Sequence, residues 1–204
     1  MSGRSAERGG ERLERAFAAL DAANAADPQQ LDHRGARRPK ELLQAELATH
    51  FLGRLAPDAG ELLRLAARAH HLRRWEIPRS RYAAGRQGYH QWRRALQDFH
   101  AEALAPVLER AGYPAAAIQR VQALVRKQGL GSDPEVQLLE DALCLVFLET
   151  ELEAVAEKLP PARLDAVLER TLRKMSARGR DEARCCELSP RARELLERAL
   201  GALG

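Results

Sequence analysis

The chain has 204 residues, 45% hydrophobic, 30% charged and only 4% aromatic, with a formal net charge of +4 and a mean hydropathy of −0.44. That length allows one sizeable core or at most two small ones, and so modest a charge excludes a protein drawn to nucleic acid over its whole surface. Cys144, Cys185 and Cys186 are odd in number and lack zinc spacing, which argues against a disulfide framework, while the longest apolar run, Ala142 to Leu148, is too short to span a bilayer.

In chain order, the pattern predicts helices and no strand, because β-branched residues are few and alternation with period two is missing. Leu13, Phe17, Leu20 and Ala23 mark a first helix, and the stretch from Ala26 to Arg38, with Pro28 and Gly35, reads as a loop. Pro39 sits where a first helical residue should, ahead of Leu43, Leu47, Phe51 and Leu55 at helical spacing. Asp58 with Glu61 resembles a capping box for a third helix through Leu62, Leu65, Ala66, Ala69 and Leu72, ending near Pro78. A loop over 77–88 leads to the stripe Tyr89, Trp92, Leu96, Phe99 and Ala103, which Pro106 is expected to kink or end. Ile118, Val121, Leu124 and Val125 give a fifth helix stopped near Gly129. Asp133-Pro134 opens a sixth with an N-cap and a proline at the first helical position, and Pro160-Pro161 ends it. Two more helices are expected around Leu164 to Met175 and Pro190 to Leu203. The expectation is a single all-α domain over 1–204, with 1–10 disordered and the core helices at about 39–158. With a polar start from Ser2 to Arg12, unlike a signal sequence, a cytoplasmic protein is the simplest reading.

Charge is unevenly spread. From Arg64 to Arg94 there are nine arginines, no lysine, His70, His71, His90, both tryptophans and two of the three tyrosines against one acid, Glu76. A planar guanidinium suits phosphate or carboxylate held at fixed geometry better than a mobile ammonium does. From Asp133 to Glu169 the balance reverses, with ten acids against Lys158 and Arg163.

Asp141 lies in a run that is apolar on nearly all sides, with Leu138, Cys144 and Leu145 one turn away. A buried carboxylate is costly without a base, a strong donor or a metal ion. It could equally cap a neighbouring helix or pair with an arginine such as Arg73. His50 and His100 border apolar stripes, and His70 and His71 point about 100 degrees apart on a helix, so they hardly share one face. Imidazole with carboxylate is a ligand set that zinc, manganese or iron accepts, and each histidine also reads as a satisfied core residue. Trp92 fits the apolar stripe as a core residue, whereas Trp75 is expected to border a site. The vicinal Cys185-Cys186 pair, between Arg184 and Glu187, has no decisive electrostatic push toward reactivity.

The strings Arg38-Pro39-Lys40-Glu41-Leu42-Leu43, Ala66-Ala67-Arg68-Ala69-His70-His71-Leu72-Arg73-Arg74-Trp75-Glu76-Ile77-Pro78-Arg79, Tyr89-x-x-Trp92-Arg93, Phe99-His100-Ala101 and Leu139-Glu140-Asp141 resemble the family known as domain of unknown function 4202. More distantly, the order of these motifs is similar to the His-Asp metal-dependent phosphohydrolase superfamily. That resemblance implies a divalent manganese, iron or zinc ion held by His71, Asp141, His70 and His100, although no aspartate follows either histidine of the doublet. If the protein is such a hydrolase, Arg73, Arg74 and Arg79 are expected to stabilise charge developing on phosphorus, and Arg38, Lys40, Glu41, Trp75 and Arg93 to contact substrate. Lys174-Met175-Ser176-Ala177-Arg178 is similar to a loop of class I aminoacyl-tRNA synthetases, but the chain lacks the companion motif and the strands of a nucleotide-binding sheet.

Two functions are carried forward. One is metal-dependent hydrolysis of a nucleotide or other phosphorylated small molecule. The other is non-catalytic binding of a phosphate-bearing ligand, or of RNA, by the arginine and aromatic face.

Overall fold

The computed structural model describes residues 3–203, with side chains from residue 10 onward. The chain is all-α: among the described residues there are ten α-helices, two short 3-10 turns and one small antiparallel hairpin. It divides into two compact units, one of residues up to 46 together with 59–128, the other of 47–58 together with 129–204. The sequence expectation is a single domain. Of the segment expected to be disordered, residues 1 and 2 lie outside the described residues, and the first helix is assigned from Gly3.

The first unit holds α1 (Gly3–Asn24), the hairpin β1 (Gln30–His33) and β2 (Ala36–Pro39), the start of α2 (Lys40–Leu55), α3 (Glu61–Ala69), α4 (Gly85–Ala111) and α5 (Ala115–Val125). α1 packs on α3 and α4, and α5 packs on the same two helices. Of the stripes expected from the sequence, Leu20, Leu65, Leu72, Leu96 and Leu124 are fully buried together with Leu63, Leu104 and Leu108, whereas Leu62, Trp92, Phe99 and Ala103 are half-buried and Tyr89 is exposed. Phe17 stays half-buried and carries Arg64 and Arg68 over its ring at 5.8 and 5.3 Å.

The second unit holds the rest of α2, α6 (Pro134–Thr150), α7 (Leu152–Lys158), α8 (Pro161–Lys174), α9 (Ala177–Ala183) and α10 (Pro190–Gly201). α6 packs on α7, α8 and α9, and α10 packs on α7 and α8. Leu139, Leu145, Leu168, Leu172 and Leu196 are fully buried. Asp133 caps α6 by accepting from Glu135 N, with Pro134 as the first helical residue, as the sequence predicts.

Several local expectations are corrected. The segment read as a loop forms the hairpin, because Arg34 and Gly35 both take positive φ (51° and 76°), the two-residue turn whose twist matches that of the strands. Pro39 ends β2, and α2 starts one residue later. Asp58 is exposed and Gly60 holds the N-cap of α3 without a side-chain bond, so no capping box forms. α3 stops at Ala69, and 3-10 turns at Arg74–Glu76 and Arg79–Arg81 carry the chain onward. α4 begins at Gly85, inside the expected loop, and runs past Pro106 to a left-handed cap at Gly112. The sixth helix ends before Pro160: Thr150 turns its hydroxyl back to Val146 O (2.7 Å), and Glu151, φ −125°, separates α6 from α7. The short α9 lacks an apolar stripe long enough to be read from the sequence.

Candidate functional site

The basic cluster is organised by a few buried polar side chains in the first unit. Asn24, fully buried at the end of α1, accepts from Arg73 N (3.0 Å) and donates to Glu41 O (3.5 Å). Asp27 accepts from Gln29 N (2.9 Å) in a local turn and from Glu41 N (3.0 Å) at the start of α2. Together they seat Glu41, only 2% exposed, opposite the end of α3. Arg73 takes a left-handed conformation (φ 54°) that turns the chain sharply after the histidine doublet.

His71 Nδ1 lies 3.0 Å from Glu41 Oε2, and Arg74 Nε lies 3.7 Å from Glu41 Oε1. A carboxylate only accepts and a guanidinium only donates, so His71 carries its proton on Nδ1 and accepts at Nε2 from Arg74 Nη1 (3.3 Å). His70 Nδ1 donates to Ala67 O (2.9 Å) and His100 Nδ1 donates to Leu72 O (2.8 Å), which fixes the same tautomer in both. The ring centroids of His70 and His71 lie 4.0 Å apart with the planes tilted by 35°, and those of His71 and His100 stand 5.8 Å apart. Despite the 100-degree expectation, the doublet gathers on one side, because α3 has ended and the chain is already in a turn at His71. Burial pushes the imidazoles of His70 and His100 down to about 3, and holds His71 well below its ordinary value with help from His70 and Arg74. All three are neutral at pH 7.

Arg74 is half-buried and lies over the Trp92 ring at 4.9 Å, while Trp92 Nε1 donates to Ile77 O (2.8 Å). Arg93, the next residue on α4, contributes to the positive field felt by His71 and His100. His100 Nε2 is buried and has no hydrogen-bond partner among the described residues, an acceptor left unsatisfied in a positive surrounding.

The other expected site residues take different places. Arg73 makes a two-pronged pair with Glu76 (2.5 and 2.8 Å) on the surface. Arg79 donates to Tyr82 O and Ala83 O (both 2.8 Å) and so staples the loop before α4. Arg38 is held by both oxygens of Glu46 (2.7 and 2.8 Å). Lys40 opens α2 and Trp75 lies in the first 3-10 turn, both half-buried. Trp92 therefore supports the arginine cluster, a place the sequence gives to Trp75. Asn24 and Asp27 escape sequence reasoning. The Asp27-Pro28 pair is a turn signal for the second, and nothing local announces the first.

Asp141 stands in the second unit, 1% exposed. Its Oδ1 accepts from Ser176 N (2.8 Å) and Gln137 Nε2 (2.9 Å), and its Oδ2 from Ser176 Oγ (2.5 Å). Ser176 in turn accepts from Gly179 N (3.0 Å) as the N-cap of α9. Gly179 touches the carboxylate so closely that a Cβ there would lie 2.7 Å from Asp141 Cγ. The neighbouring Glu140 pairs with Lys174 Nζ (3.2 Å). Asp141 is thus the brace of a helix corner, one of the two roles its burial suggests. Among the described residues no group of three or more His, Cys, Asp or Glu is arranged to hold a metal ion. The three hydrogen bonds to Asp141 occupy three of the roughly four lone-pair sites of its carboxylate. In the same unit, burial beside Glu149 pushes the Cys186 thiol up to about 12, the opposite of a reactive thiolate.

Among the described residues no helix is long and apolar enough to cross a membrane. A family model described as Domain of unknown function (DUF4202) matches residues 14–196. No curated protein and no solved structure matches the chain.

Proposed function

This chain belongs to the DUF4202 family, whose description names no reaction, and from its site we propose that it binds a phosphate-bearing small molecule, such as a nucleotide, at the Arg74 face of the first unit. The observation that carries the reading is Arg74 itself, half-buried and oriented by Trp92 on its face and by His71 and Glu41 at its edge. A guanidinium already fixed in this way loses little entropy when an anion arrives. The three neutral imidazoles add no charge that would demand further acids, and His100 Nε2 offers an acceptor to a hydroxyl or amine of the ligand. A cytoplasmic setting suits such a ligand.

Trp75→Phe leaves Trp92 as the single tryptophan, and its fluorescence then reports on the site. Titration of this variant with adenosine monophosphate and with inorganic phosphate is expected to give saturable changes. Arg74→Gln should weaken binding by about tenfold or more, the value of one charge-assisted pair. Unchanged affinity in a folded Arg74→Gln protein would sink the proposal. The same titration across ionic strength separates a small ligand from RNA. A steep linear fall of log affinity with log salt on a single-stranded oligonucleotide would favour RNA. Exposed Arg86, Tyr89 and Arg94 on α4 favour that outcome, but Arg68, paired twice with Asp21 at 2.6 Å, Arg73 and Arg79 are already spent on the fold.

Metal-dependent phosphohydrolysis is the second reading. It is favoured by the anchoring of His70 and His100 through Nδ1, the arrangement that leaves Nε2 of a histidine for a ligand. The three hydrogen bonds that Asp141 already accepts weigh against it. Elemental analysis of untagged protein beside His71→Ala and Asp141→Asn decides: near-stoichiometric transition metal lost in both folded variants would restore hydrolysis as the leading function.

A further inference from the structure

The second unit contains a cavity of about 410 Å³ whose walls carry Arg173, Arg180, Arg184 and Asp181 and whose apolar side carries Leu200 and Leu203. Its size falls within the range of small-ligand sites. The three guanidiniums come from the last turn of α8, the middle of α9 and the C-cap of α9. Two of them have acidic neighbours. Arg173 pairs with Glu169 one turn back on its own helix (2.9 Å), and Arg184 with Asp181 (3.2 Å) and Glu197 (3.7 Å). Arg180 differs. It is half-buried, and its hydrogen bond is to a neutral group, Met175 O (2.6 Å), so most of its five donors and its whole charge remain for something else.

The corner between α8 and α9 is fixed before any ligand arrives. Gln137 donates to Lys174 O (2.9 Å), Glu140 holds Lys174 Nζ, and Asp141 takes both the amide and the hydroxyl of Ser176. Arg173 and Arg180 flank this corner, so the buried acids of α6 set the spacing of the cationic wall. A partly desolvated guanidinium without a carboxylate, next to a second one and above leucines, has the chemistry of a receptor for a dianion on an apolar body.

We propose that this cavity binds the phosphate group of a small phosphate monoester, Arg180 and Arg173 taking the dianion and Leu200 and Leu203 its organic part. The site is separate from the Arg74 face and stands or falls without it.

Phenyl phosphate serves as the probe, added to the full chain while the arginine Nε–Hε signals are followed by nuclear magnetic resonance. The expected result is a saturable shift of the Arg180 signal, with inorganic phosphate binding about tenfold more weakly for want of the apolar part. Arg180→Gln should lower phenyl phosphate affinity about tenfold, and Arg173→Gln, an exposed residue on which no packing depends, several-fold. Arg74→Gln should leave the Arg180 response unchanged. A silent Arg180 signal under saturating probe overturns the proposal, as does unaltered affinity in Arg173→Gln and folded Arg180→Gln. Loss of the response in Arg74→Gln alone would assign phenyl phosphate to the first unit and likewise overturn it.

Discussion

At Asp141 a carboxylate is 1% exposed and takes three hydrogen bonds, two from Ser176 and one from Gln137. Its sequence surroundings say that it must have partners, since an unpaired buried charge costs several kcal/mol. They cannot say which partner, because Ser176 lies 35 residues away. Gly179 is the less visible half of the same arrangement. An added methyl would stand 2.7 to 3.0 Å from the Asp141 carboxylate, which cannot yield without losing Ser176. Gly179→Ala is therefore expected to destabilise the protein by about 1–3 kcal/mol, measured as a lowered urea midpoint at unchanged slope. Wild-type stability in that variant would mean that the corner is loose. The arginines carry a similar lesson. Their crowding is legible in the sequence, but Arg73, Arg79 and Arg38 act as struts and Arg74 as the oriented cation, a division set by Glu76, the carbonyls of Tyr82 and Ala83, and Glu46.

Among the elements, the well-read ones are those whose signals are local. α6 begins at its cap and proline, and α5 buries Ile118, Val121, Leu124 and Val125 as its spacing predicts. The hairpin was hidden because Arg34 is a poor signal for a left-handed turn residue, although Gly35 beside it is a good one. Asparagine adopts this conformation more readily, so Arg34→Asn should stabilise the hairpin by about 0.5–1 kcal/mol, read as slower amide exchange across the β1–β2 pairs. Exchange as fast as in the parent would argue against a strained turn. Of the two effects expected of Pro106, a kink or an end to the helix, the end does not occur. α4 is long enough to run through it, with Leu104, Val107 and Leu108 buried on either side of the missing amide. Packing of that stripe outweighs one lost hydrogen bond, and Pro106→Ala should raise the thermal midpoint by restoring it.

For the molecule as a whole, the buried histidines couple stability to pH. In the unfolded chain an imidazole takes its proton near 6.5, whereas folded His70 and His100 stay neutral down to about 3. Between those values the unfolded state binds more protons, so the histidine contribution to stability falls as pH drops from 6.5 toward 3 and is constant above 6.5. Each ring should cost on the order of 2 kcal/mol at pH 5. Urea midpoints at pH 7.5, 6 and 5 measure this, and His100→Gln should flatten the slope; a midpoint independent of pH would refute the burial of neutral rings. The sequence by itself determined the helical class, the capped start of α6, the family, the arginine-rich stretch and the need of Asp141 for partners. These depend on residues within a turn or two of one another, where spacing and capping act directly. Tertiary structure alone decided that Glu41 meets His71 across 30 positions, that Arg68 meets Asp21 across 47, and that Asp141 braces a corner. Charge pairing depends on distance in space, and that distance exists only once the apolar stripes have packed.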